Sequence, residues 1–191
     1  MLKSLAMLAV FVLITFATSG VSQPAAHEWR ATTKSDPLTG KSYTLYELIG
    51  TFLTPPAHGD GKPPFISLSC DPSAKHGTIS GRLIDGFIVV NAVIDIKNGD
   101  TTTVQYRLDN GKLQDANSMV GYSTDYQAIH LDNLFVNNLL WGHMVFHKPG
   151  KGDQVHKVVI GVQEHLGGMV VMQFDMPDAK EVGAACGTEY K

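Results

Sequence analysis

The 191-residue chain has little cysteine, little charge and none of the short signatures that mark a catalytic site. Its two cysteines, Cys70 and Cys186, are too few for a multiply stapled scaffold. They have no C-x-x-C spacing and no neighbouring histidine, so a bridge is favoured over a redox or metal thiol pair. Charged residues are 17% of the chain and acids exceed bases by three, which argues against a nucleic-acid or anionic-membrane partner. The P-loop, dinucleotide and H-E-x-x-H patterns are missing, and "HGTISG" lacks the spacing of a nucleophile elbow. "YSTDY" supplies hydroxyls and Asp125 without an evident base, and no feature selects a pair of carboxylates for glycoside chemistry. Composition therefore singles out no enzyme class and no cofactor.

The N-terminus carries the clearest positive signal. Lys3, the apolar run "LAMLAVFVLITFA" and the small residues of "TSGVS" follow the order of a secretory signal peptide. The run is about 13 residues, short of the roughly 20 needed to span a bilayer. The expected organisation is a signal peptide over 1–22 and a single β-rich secreted domain over 23–191, with no stable membrane insertion after cleavage. No cysteine lies at the cleavage point to take a lipid. Losing Lys3 raises the acidic excess from three to four. A periplasmic or secreted location is expected, where a lone pair of cysteines in one domain bridges.

The rest of the chain alternates apolar and polar residues between turn signals. "SYTLYELIGTFL" is the first strand expected, and "PPAHGDGKPP" after it reads as an exposed, mobile loop over 55–64, since proline lacks the ladder donor and glycine adds freedom. In "FISLSC" the alternation puts Ile66, Leu68 and Cys70 on the core side. Asn98-Gly99 and Asn110-Gly111 predict two tight hairpins, joining "GFIVVNAVIDIK" to "DTTTVQYRLD" and that strand to "KLQ". The first would place Arg107 beside Val90 and Asp109 beside Ile88, on a partly apolar face. A covered guanidinium needs an acceptor, so Arg107 is expected to form a structural ion pair with Asp109 or Asp125, with recognition as its other role.

Short helices are expected in "LDNLFVNNLLWG", capped by Asp132, and in "PDAKEVGAAC", with Asp178 and Glu181 as a capping box. With about nine short strands, the predicted class is mainly β, an antiparallel β-sandwich or partly open barrel with two short helices. A hairpin over 143–160 would bring His143, His147 and His156 to one face, a candidate Zn or Cu site. Val145, Val158 and Ile160 share that face, so ordinary edge histidines are the favoured reading and no tight metal is expected.

Trp29, "SDPLTG", "PPFISLSC", "VQYRLDNG", "STDYQAIHL", "LFVNNLLWGHM", "MQFDMPD" and the closing "AACG" together resemble a family of type VI secretion-associated periplasmic accessory proteins (VasI/TagO-like). The motifs run from Trp29 to Gly187. Met119 and Val120 stand where the family places a Trp before "STD", and "HKPGKGDQVH" has no counterpart in its pattern. The resemblance implies an exported bacterial protein without an established enzymatic activity, and matches the family's Arg-x-Asp strand motif to Arg107 and Asp109. The function expected is that of an envelope accessory or interaction protein, meeting a protein partner through a sheet face, an edge strand or the Pro/Gly loop. A small-ligand carrier with a pocket between sheets and a secreted hydrolase are the alternatives.

Overall fold

A computed structural model describes residues 28–71, 83–96, 101–119, 127–131, 155–178 and 180–186, with backbone alone at 83–85, 116–119, 180 and 184. The strands are β1 (Arg30–Ser35), β2 (Ser42–Ile49), β3 (Thr51–Thr54), β4 (Phe65–Cys70), β5 (Leu83–Val89), β6 (Thr101–Leu108), β7 (Gln114–Met119), β8 (Ala128–His130), β9 (Lys157–Gln163) and β10 (Met169–Asp175). Among the described residues one helix, α1 (Lys180–Cys186), follows. The strands form two open antiparallel sheets of five, ordered β1-β2-β4-β5-β8 and β3-β10-β9-β6-β7. The mainly β expectation is met, as two sheets and not a closed barrel.

Alternation builds the core. Ile66, Leu68 and Cys70 are buried on β4, Thr102, Val104 and Tyr106 on β6, and Val170, Met172 and Phe174 on β10. Inward residues of both sheets form one continuous apolar cluster that includes Leu48, Ile88, Ile129 and Ile160. The space a carrier would need between the sheets is thus occupied by side chains wherever those inward faces are described.

The first predicted strand is divided. At Gly50 the chain passes from β2 in one sheet to β3 in the other, and a Cβ there would lie 2.5 Å from the Phe174 ring and 2.7 Å from the Gln173 carbonyl oxygen. Only glycine lets the corner approach β10 so closely. The corner is also tied down, because the Gly50 N–H donates to the Pro64 carbonyl.

Three further expectations are corrected. β1, "RATTKS", is a strand although the segment has no apolar alternation; it pairs with β2 along its whole length, Arg30 opposite Glu47 through Ser35 opposite Ser42. "SDPLTG" is the turn that permits this. Asp36 Oδ1 accepts the N–H groups of Leu38 and Thr39, and Gly40 takes a φ of 68°.

The hairpin expected across Asn98-Gly99 does not form, because β5 pairs with β4 and β8 while β6 pairs with β7 and β9 in the other sheet. Between them Val93 and Asp95 bond to the end of β9 and the residues just after it: Asp95 N–H donates to the Gln163 carbonyl and His165 N–H to that of Val93. Arg107 therefore faces Val159 of β9, not Val90.

The β6–β7 hairpin does form, with its turn one residue earlier than predicted. The Gly111 N–H closes on the Leu108 carbonyl at 2.8 Å, so Asp109 and Asn110 hold the central positions and Asp109 takes a φ of 47°. Asp109 can fill the left-handed position expected of Asn110, since aspartate is among the residues that tolerate it.

At the C-terminus, α1 is docked by Val182, which is fully buried, and by the Cys70–Cys186 disulfide, whose Cα atoms lie 4.9 Å apart. The two cysteines are 116 residues apart in sequence, so the bridge ties the last element to the centre of the first sheet. Tyr46 on β2 is buried, and burial first, then the nearby Glu181 charge, push its phenol above the ordinary value. The helix expected over 131–142 lies outside the described residues apart from Leu131.

Candidate functional site

The most elaborately held surface feature is the Pro/Gly loop over 55–64. Its anchor is Glu164, one residue beyond β9. Val158, Ile160, Val162 and Glu164 follow each other at intervals of two on the inward side, so strand parity carries the carboxylate into the interior, where it is 2% exposed. A buried carboxylate must be satisfied. Glu164 Oε2 accepts the Ala57 N–H at 2.8 Å and Oε1 the His58 N–H at 2.7 Å. His58 Nδ1 stands 3.5 Å from Oε1 and adds charge attraction when the imidazole is protonated. Gly167 leaves the space that the carboxylate occupies, since a Cβ there would collide with it.

A second anchor holds the other half of the loop. Asn91, 7% exposed and at a φ of 56°, donates from Nδ2 to the Pro63 carbonyl at 2.7 Å. Gly59 forms a bridge to Ala92, and its Cα comes so close to Pro56 and the Asn91 carbonyl that a Cβ would lie 2.6 Å and 3.0 Å from them. The loop expected to be mobile is hydrogen-bonded at 57, 58 and 63 and bridged at 59. At its tip the exposed Asp60 contacts Lys62 Nζ at 2.6 Å, and that contact together with the Lys62 N–H holds its carboxyl below the ordinary range. His58, Asp60 and Lys62 are presented to solvent between these anchor points.

The predicted site residues fall elsewhere. Arg107 is exposed, and no described carboxylate lies within ion-pair distance of it. The covered face that would have required a partner is absent at this position. Asp109 instead serves the backbone: its Oδ1 accepts the N–H groups of His156 at 2.9 Å and Lys157 at 2.8 Å, and its own N–H donates to the Lys157 carbonyl. It fastens the start of β9 to the β6–β7 turn. Asp125, His143 and His147 lie outside the described residues; His156 is exposed. Among the described residues no group of three or more His, Cys, Asp or Glu side chains could hold a metal ion.

Glu164 and Asn91 were not identified from sequence. The inward parity of Glu164 was available as a signal, because a carboxylate continuing a row of buried valine and isoleucine must be held by something. Its partners could not be read, since they lie more than 100 residues away in the chain. Chemically, both oxygens of this carboxylate are engaged by backbone donors, an arrangement suited to holding a loop. Comparison of the chain with protein-family models, curated proteins and solved structures finds no match.

Proposed function

We propose that the protein is exported and acts outside the cytoplasm as an accessory or interaction protein of the cell envelope, recognising a protein partner and catalysing no reaction. The observation that carries this reading is the fixing of loop 55–64 by Glu164 and Asn91. A loop whose conformation is set before binding loses less entropy when it meets a partner, so fixing an exposed loop favours recognition. The Cys70–Cys186 bridge is compatible with an oxidising compartment, and the leader-like sequence before Gln23 supports export. The short motifs shared with type VI secretion-associated periplasmic proteins make components of that machinery the first partners to examine.

A photo-reactive amino acid at position 60 in living cells tests the role. The expected result is a discrete crosslinked envelope protein, obtained from position 60 and not from the exposed β9 residue Lys157, and lost when Glu164→Ala frees the loop. Identical crosslinks from positions 60 and 157 would contradict it.

A further inference from the structure

Beyond the loop, the two-sheet architecture leaves a second surface with its own chemistry. Among the described strands β1 is outermost and pairs on one side only, with β2. Five of its six residues are exposed and Thr32 is half-buried, so the strand has solvent on both faces as well as along its edge. In an antiparallel ladder alternate residues direct both N–H and C=O away from the partner strand. Alternate residues of Arg30–Ser35 therefore present donor and acceptor pairs in the pattern that another extended chain would complete. Of the other described edges, β3 has four residues and runs into Pro55-Pro56, β8 has three, and β7 has six but carries Asp115 and no cation.

Charge selects the occupant. Arg30 and Lys34 stand on the same face, four residues apart, and both are exposed. Glu47 is opposite Arg30 in register without coming within ion-pair distance, and Asp36 is engaged by its own turn. Two cations thus border a free edge. An added strand with acidic side chains at alternate positions would neutralise them, whereas a second copy would bring the same two cations to the same edge.

We infer that the free edge of β1 binds an extended acidic segment of a protein partner by strand addition, main-chain bonds supplying the pairing and Arg30 and Lys34 the selectivity. Two synthetic octapeptides serve as probes, one alternating glutamate with valine and the other lysine with valine, titrated into isotope-labelled protein. With the glutamate peptide, amide shifts and slowed hydrogen exchange should concentrate at 30–35. Arg30→Glu combined with Lys34→Glu should weaken that peptide by about tenfold or more and favour the lysine peptide. Of Thr32→Pro and Thr33→Pro, the one whose N–H points outward should abolish binding while thermal unfolding stays cooperative. Equal affinity of parent and charge-reversed protein for the glutamate peptide would overturn the inference. So would protection at Gln114–Met119 instead of β1, protection that follows protein concentration without peptide, or no response to peptide. The crosslink from position 60 does not depend on β1, so the two readings fail separately.

Discussion

Asp109 and Arg107, two residues apart on one strand end, illustrate how differently neighbouring polar side chains can be used. Asp109 spends its carboxylate on two backbone donors and sits at positive φ, while Arg107 extends into solvent. Asp109→Ala should cost about 2 kcal/mol in denaturant melts, because it removes two charge-assisted bonds and puts alanine, which tolerates a left-handed φ less well than aspartate, at that position. Asp109→Asn keeps an acceptor and tolerates that φ, so its cost should stay within about 1 kcal/mol. Arg107→Ala should change stability by no more than about 0.5 kcal/mol. A large loss at Arg107 would restore the ion-pair reading. Glu164→Ala should cost about 2 kcal/mol or more, since the residue is buried and its two bonds hold loop 55–64. Glu164→Gln should also destabilise, because its NH2 group would face a backbone N–H where an acceptor is required.

Asp36 gives a pH test at the same scale. Bonds from the Leu38 and Thr39 N–H groups favour its ionised form and hold its carboxyl below the ordinary 3.8. A group whose folded value is depressed contributes stability above its unfolded value and loses it as pH falls through the folded one. The amide shifts of the β1–β2 turn should therefore change with a midpoint below pH 3.8, as followed by NMR at Leu38. A midpoint at or above 3.8 would contradict the assignment.

At the scale of elements, legibility followed the apolar pattern and failed where that pattern was silent. β4 was readable to the facing of each side chain, because one face is buried and period-two alternation states which; on β6 the alternation separated Val104 and Tyr106 from Arg107 but misplaced the cover, expected over Arg107, which is exposed. β1 was invisible: its faces are exposed, so neither needs to be apolar, and only the β-branched Thr32 and Thr33 hinted at a strand. Asn-Gly pairs overstated what they join. At Asn110-Gly111 a hairpin exists with its turn moved by one residue, because Asp109 gains two bonds to β9 by taking the left-handed position. At Asn98-Gly99 the flanking strands belong to different sheets. A turn signal is local, whereas the choice of sheet depends on partners far away in sequence.

The disulfide is an element-scale device readable as a pair of residues but not as a place. Cys186 lies in α1 and Cys70 at the end of β4, so the bridge holds α1 against that sheet. Cys186→Ser should lower unfolding free energy by up to about 4 to 5 kcal/mol on the chain-entropy model. Melts with and without reductant would check this, and a variant equal in stability to the oxidised parent would remove the bridge from the account.

For the whole molecule, two sheets share one core and the Cys70–Cys186 bridge pins α1 to the first of them; the export proposed above would place that bridge in an oxidising compartment. The most direct measurement is thiol trapping on fractionated cells. Intact cells producing the full chain are separated into cytoplasmic and exported fractions and alkylated before and after reduction. Mass spectrometry then reads both the thiol state and the N-terminal residue. The account predicts that the protein is found in the exported fraction, begins near Gln23, and is alkylated at Cys70 and Cys186 only after reduction. A cytoplasmic protein that keeps its first residues and is alkylated at both cysteines without reduction would contradict it.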